Sequence, residues 1–208
     1  MKFLYAGGYY LTQAIFDTLY PGEVWGVHHI PPRGGFLLAA NHASFFDPPA
    51  VGCRVPREIH YLARKTLFKK GLIGNLLRNV NAIPVDRDGD SDVGSLKTVI
   101  RTLRGGKGLI LFPEGTRTPN GKIQDAKAGL GMIACRAEVP VIPTRIFGSY
   151  EAYSRKMRWP RVFTPIDVHF GKPLFPSDFD PGGRGKDRYQ EATDRIMNRL
   201  RALSRPTP

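Results

Sequence analysis

The sequence predicts an α/β fold: a single domain with a mixed, largely parallel central sheet flanked by helices, plus an N-terminal amphipathic helix. Three observations carry this. Short, wholly apolar runs such as 36–40 (FLLAA) and 108–112 (GLILF) read as strands buried on both faces. They alternate with segments of helical spacing such as 93–104 and 187–203, the pattern of strand–helix–strand units. The 208 residues hold enough apolar side chains for one real core, and no linker or internal repeat divides them, so 1–208 reads as one domain.

Charge narrows the classes of partner. The 31 Lys and Arg against 18 Asp and Glu give +13, with +3 in residues 1–100 and +10 in residues 101–208. Such a field draws polyanions, whether nucleic acid, anionic lipid headgroups or phosphorylated substrates. With 41% apolar and 11% aromatic residues, a disordered chain is excluded. Cys53 and Cys135 stand far apart without a partner pattern, so neither a zinc site nor a disulfide framework is indicated and reduced thiols inside a cell are expected. No apolar run reaches the ~18–20 residues of a spanning helix. The N-terminus also lacks the pattern of a signal peptide.

Taken in order, residues 1–20 carry only Lys2 and Asp17 as charges, with Leu4, Leu11, Ile15 and Leu19 at helical spacing among several aromatics. A short, tyrosine-rich helix of this kind suits a membrane interface, and equally suits packing on the domain. Residues 24–30 (VWGVHHI) are expected as a strand, which would send His28 and His29 to opposite faces and deny them a shared metal. After the strand 36–40, a Pro-started helix over 49–55 precedes a strand over 57–63 and a helix over 65–80, despite Gly71 and Gly74. Residues 81–87 (NAIPVDR) are expected as a strand entering the acidic loop 88–92, whose spacing does not match a calcium loop. A helix over 93–104, with Asp92 as its cap, stops at Gly105-Gly106. The strand 108–112 is followed by a helix over 125–136 and a strand over 139–146. Pro140 and Pro143 lack amide hydrogens, which predicts that this last strand is interrupted or lies near an edge. One or two strands within 161–170 and a terminal helix over 187–203 complete the chain.

Chemistry-bearing residues gather where two of the apolar strands end. His42 has a carboxylate, Asp47, five positions on, the minimum equipment for general-base work. In a continuous helix the two would diverge by about 140°, so they meet only if the chain turns between them, as a strand-to-helix corner allows. A second reading makes Asp47 the N-cap before Pro48 and leaves His42 without a task. The other constellation, FPEGTR (112–117), places Glu114, Gly115, Thr116 and Arg117 directly after a buried strand. In α/β sheets ligands bind at the carboxyl ends of strands, so His42 and Glu114 can share one crevice. The planar fork of Arg117 suits two phosphate oxygens.

These blocks are similar to those of the glycerolipid (lysophospholipid) acyltransferase family, and above all to its bacterial 1-acylglycerol-3-phosphate members. NHASFFD (41–47) has the His-x4-Asp pattern and FPEGTRT (112–118) resembles the phosphate-binding block. NAIPVDR (81–87) resembles the second block, with Asn81 where the family usually has glycine, and VPVIPT (139–144) resembles the fourth. Lys127-Ala128-Gly129 stands where a Lys-x-Gly segment often occurs. The blocks run in family order from residue 36 to about 147, more than half the chain.

The resemblance implies transfer of an acyl chain from a thioester, acyl-CoA or acyl carrier protein, to a lysophospholipid hydroxyl, with no further cofactor and no metal. His42 would take the hydroxyl proton and Asp47 would hold its tautomer. Arg87 and Arg117 would grip the acceptor phosphate, Glu114, Gly115 and Thr116 would shape that site, and Lys127 could add to it. Ser44 lacks a nucleophile-elbow motif and reads as structural. Arg155, Lys156, Arg158, Trp159 and Arg161 join cations to an aromatic, which fits contact with an anionic membrane surface or an acidic carrier protein. Peripheral attachment to the cytoplasmic face of the inner membrane is the expected location. Alternatives are a glycerol-3-phosphate or other lysophospholipid acceptor and, in a different class, a non-catalytic binder of anionic membrane or nucleic acid. No nucleic-acid motif supports the last, and no nucleic-acid partner is expected.

Overall fold

The computed structural model describes residues 3–69, 71–86 and 93–206. Its strands are β1 (Val24–Trp25), β2 (Phe36–Ala40), β3 (Ile59–Arg64), β4 (Ala82–Val85), β5 (Gly108–Leu111), β6 (Val141–Phe147) and β7 (Asp167–Phe170). The α-helices are α1 (Phe3–Leu19), α2 (Asp47–Gly52), α3 (Gly71–Asn79), α4 (Val93–Arg104), α5 (Gly129–Ala137), α6 (Ser149–Tyr153), α7 (Pro176–Phe179) and α8 (Lys186–Arg201). The strands form one sheet in the order β1-β7-β6-β2-β5-β3-β4, parallel throughout except where β7 runs antiparallel to β6. The expected mixed, largely parallel sheet is present.

Alternation along β2 divides the core. Phe36, Leu38 and Ala40 face a layer that includes Phe16 of α1, Tyr20 just after that helix and Val51 of α2. Leu37 and Ala39 face the opposite layer, with Leu103 of α4, Leu130 of α5 and Ile196 of α8. All five β2 residues are fully buried, as a central parallel strand requires. Truncating a side chain such as Leu38 to Ala would cost about 2–5 kcal/mol of stability. Parallel pairing of β2 with β5, from Phe36↔Gly108 to Ala39↔Leu111, makes both strands end at the same edge of the sheet. That register brings the residues after Ala40 beside those after Leu111.

Several elements differ from expectation for physical reasons. Residues 24–30 are not one strand: Gly26 turns left-handed at φ 72°, and Val27–His29 form a 3₁₀ turn. A Cβ at Gly26 would lie 2.0 Å from the Phe170 carbonyl oxygen, so only glycine fits there. The helix expected over 65–80 is a 3₁₀ turn, Lys65–Lys69, followed by α3 from Gly71. The helix expected from Asp125 begins only at Gly129. The strand β6 is not interrupted; it lies third from the β1 edge of the sheet, beyond only the short β1 and β7. Val141 exchanges both backbone bonds with Leu174, and the Pro143 carbonyl takes the Gly171 N–H. The side of Pro143 that lacks an N–H therefore faces residues 171–174, and the ladder to β2 loses nothing. The acidic loop 88–92 and the Asp92 cap lie outside the described residues.

Candidate active site

The corner between β2 and α2 is built around one carboxylate oxygen. Asp47 is fully buried, and its Oδ2 accepts the N–H groups of Ala43 at 2.6 Å and Ser44 at 2.7 Å. The same oxygen lies 2.9 Å from Nδ1 of His42. Asp47 is the first helical residue of α2 rather than its N-cap, which is Phe46, and no side chain caps this helix. The expectation that it caps α2 is thus corrected: its carboxylate reaches back across the corner to fold residues 42–44. With Nδ1 engaged, Nε2 is the nitrogen that His42 presents to solvent, and the side chain is 13% exposed. Ser44 donates its hydroxyl to the Tyr153 carbonyl at 2.6 Å and accepts the Phe46 N–H at 3.0 Å, a structural role.

Three neighbours hold His42 from behind. The Glu114 carboxylate takes the His42 N–H on Oε1 at 2.6 Å and the Gln124 N–H on Oε2 at 2.8 Å. Burial pushes the Glu114 carboxyl above the usual range, against the pull of these two donors. The Thr118 N–H donates to the His42 carbonyl at 2.8 Å. Phe112 stacks on the imidazole with ring centroids 4.1 Å apart. One residue before, the Asn41 amide bonds both backbone groups of Ile146, tying the end of β2 to β6 as a strand pair would. Asn41 and Phe112 had no role legible in the sequence.

Beyond Glu114 the chain turns at Gly115, φ 70°, whose N–H closes on the Phe112 carbonyl at 3.1 Å. This turn delivers Thr116 and Arg117 to a cleft of about 750 Å³ that they line together with His42. The Arg117 guanidinium lies 3.4 Å from the ring centroid of half-exposed Phe45, which holds its plane. From His42 the cleft continues between α1, through Tyr5 and Tyr9, and the β3–α3 region, through Leu62, Leu67, Leu77 and Val80. The site therefore joins an imidazole, a guanidinium and a long apolar wall.

The family model described as Acyltransferase matches residues 23–147, which hold both constellations. The chain belongs to the acyltransferase family. It is 30% identical over 184 residues to the 1-acyl-sn-glycerol-3-phosphate acyltransferase of Bacillus subtilis, covering 87% of each chain. Against the enzyme of that name from Streptococcus pneumoniae it is 28% identical, covering 79% of this chain and 57% of the relative. The crystal structure of the 1-acyl-sn-glycerophosphate acyltransferase of Thermotoga maritima superposes with a TM-score of 0.70 at 26% identity, covering 98% of this chain and 79% of the other.

Within this acyltransferase the remaining expected site residues are scattered. Glu114 does not line the cleft; its part is to fasten His42 and the strap at Gln124. Lys127 is exposed and also lies off the cleft, with its carbonyl near the Thr193 hydroxyl of α8. Arg87 lies outside the described residues. Asn81, where the family usually has glycine, is left-handed at φ 57°, the conformation that glycine and then asparagine tolerate best. Arg155, Lys156, Arg158, Trp159 and Arg161 fall in the loop after α6. Trp159 there is 72% exposed and Phe163 is 68% exposed, and the Phe163 N–H bonds the Leu19 carbonyl at the end of α1. Helix α1 buries Tyr5 and Phe16 against the domain while exposing Leu4, Tyr10 and Leu11, so it both packs and presents an apolar face. No helix among the described residues is long and apolar enough to cross a membrane.

Proposed function

We propose that the protein transfers an acyl chain from acyl-CoA or acyl carrier protein to the free hydroxyl of 1-acylglycerol-3-phosphate, giving phosphatidic acid. The observation that carries this reading is the single cleft in which His42 and Arg117 stand at one end of an apolar wall. His42 accepts the hydroxyl proton on Nε2 while Nδ1–H donates to Asp47, which stabilises the imidazolium. The alkoxide oxygen bonds to the thioester carbonyl carbon. The tetrahedral intermediate then expels the thiolate, which takes the proton back from His42. Arg117, held flat on Phe45, grips the acceptor phosphate, and Thr116 stands beside it. An acyl chain lies along Tyr9, Leu67 and Leu77.

The exposed apolar face of α1 and the basic, aromatic loop 155–163 meet at Leu19–Phe163, and together they dock the enzyme on an anionic bilayer. The thioester donors are cytoplasmic, which assigns the working surface to the cytoplasmic face of the inner membrane. Incubating the purified protein with a radiolabelled acyl thioester and a panel of acceptors tests the reading. Labelled phosphatidic acid formed by wild type and lost in His42→Ala is expected; turnover retained in that variant, or product only from other acceptors, would overturn it.

A further inference from the structure

On the far side of the β2–α2 corner lies a second cavity, of about 410 Å³. Corner residues alternate between the two spaces: His42 and Ser44 line the cleft, whereas Asn41 and Ala43 line this cavity. Its walls include two arginines that converge on one aromatic ring. The guanidinium carbons of Arg145 and Arg205 lie 5.3 and 5.2 Å from the centroid of Phe147. Arg205 is neutralised by Asp167, with Nε 2.7 Å from Oδ2. Arg145 has no carboxylate at ion-pair distance among the described residues, although it is half-buried and burial lowers its pKa. The field of Glu114 partly offsets that burial. Glu151 is the carboxylate that lines the cavity. Ser149, 1% exposed, also lines it, and its Oγ has no hydrogen-bond partner among the described residues. A partly desolvated guanidinium with no carboxylate at ion-pair distance among the described residues and an unsatisfied buried hydroxyl both cost stability, and an anion bound in the cavity they line would reduce that cost.

We propose that this cavity receives the phosphate group of the acyl donor's phosphopantetheine arm, with Arg145 as its principal contact. Both substrates of the proposed reaction carry phosphate, and their reacting groups must meet at one imidazole. On the assignment above Arg117 serves the acceptor's phosphate, so the donor's phosphate takes another cation; Arg64 lines the cleft as well, but Arg145 lies in the cavity behind the corner that carries His42, the wall the two spaces share. The inference rests on the thioester-donor reading above, and its test is therefore made by binding rather than turnover.

Dissociation constants of coenzyme A, phosphopantetheine, pantetheine and inorganic phosphate are measured on full-length His42→Ala protein, with and without Arg145→Gln. Phosphopantetheine is expected to bind about tenfold or more tightly than pantetheine, and Arg145→Gln to erase that difference while leaving pantetheine unchanged. In the active enzyme, Arg145→Gln raises the donor KM by a similar factor and leaves the acceptor KM alone. Equal binding of phosphopantetheine and pantetheine would overturn the proposal. So would inorganic phosphate binding as tightly as phosphopantetheine, or an acceptor KM that moves in place of the donor KM. If Arg145→Gln lowers Tm so far that it cannot be assayed, Arg145→Lys, which keeps the charge and loses the planar fork, is expected to narrow the difference between phosphopantetheine and pantetheine, and an unchanged difference would overturn the proposal. Absence of transfer with every thioester would end the catalytic reading and leave the binding result standing.

Discussion

Asp47 and His42 are joined through one oxygen: Oδ2 of Asp47 lies 2.9 Å from Nδ1 of His42 while also holding the N–H groups of Ala43 and Ser44. One atom thus fixes the ring and the stretch of backbone that follows it. The other oxygen, Oδ1, is buried and has no hydrogen-bond partner among the described residues, so the carboxylate acts through a single point.

Asp47→Asn keeps the volume but can place an amide NH₂ against donors. On the proposed mechanism turnover should fall by about 10²–10⁴, as should that of His42→Ala, because each would remove proton transfer to a correctly held base. The two differ in stability. Asp47→Asn should lower Tm, since buried backbone donors lose an acceptor, whereas His42→Ala should leave Tm close to wild type. Steady-state kinetics with thermal unfolding separates them.

Arg117→Lys keeps the charge and loses the planar fork and the stacking on Phe45. The acceptor KM is expected to rise about tenfold or more with little change in the donor KM, on the scale of a lost charged hydrogen bond. Equal rises in both constants would count against a phosphate role on the acceptor side.

Trp159 and the cations of the loop after α6 should set vesicle affinity. Replacing Arg155, Lys156 and Arg158 together by Gln is expected to weaken binding to anionic vesicles by about tenfold or more, at up to ~1 kcal/mol per cation. Neutral vesicles should show no such change. Trp159→Ala should weaken both. Co-sedimentation at two salt concentrations reads the difference.

Asn81 sits at φ 57° and donates its side-chain amide to Glu58 at 3.2 Å. Asn81→Val should destabilise by about 1–2 kcal/mol, because a β-branched residue is strained there. Asn81→Gly relieves the backbone and loses the hydrogen bond, and is expected to be close to neutral. Urea unfolding of the pair gives the comparison.

Asp180 meets Arg188 through two bonds, Nε–Oδ1 at 2.8 Å and Nη2–Oδ2 at 2.5 Å, and the guanidinium holds its carboxyl at about 2, below the ordinary 3.8. A value lowered in the folded state stabilises fully above the unfolded value, and that stabilisation is lost as pH falls from about 3.8 towards about 2. Asp180→Asn should therefore flatten the acid limb of Tm against pH and leave the slope near neutrality unchanged.

What could be read beforehand follows from which signals are local. Residues 93–104 have the period of a half-buried helix, and α4 spans Val93–Arg104. The five apolar residues of β2 announced a strand with no solvent face. Pro143 leaves β6 uninterrupted because a missing N–H matters only on the side where a partner waits, and that side is set by β7 and residues 171–174. Gly26 reads as one weak residue in an apolar run; its φ of 72° is imposed by the approach of Phe170. At the site, residue types and spacing pointed to His42, Asp47 and Arg117. Asn41, Phe45 and Phe112 act through contacts between elements far apart in sequence, which spacing cannot display. Lys127 fits the family's pattern in sequence yet lies away from the cleft in space.

The Glu114 carboxylate also has a metric consequence. Imidazole and guanidinium stand on loops leaving two neighbouring strands, and those loops are riveted together at His42, Thr118 and Gln124. On the proposed assignment the span between them is a fixed gauge. An acceptor is then selected by the number of bonds separating its hydroxyl from its phosphate, more than by the chain that hangs beyond. Lengthening that spacing by one methylene should penalise transfer more than lengthening the acyl tail by several.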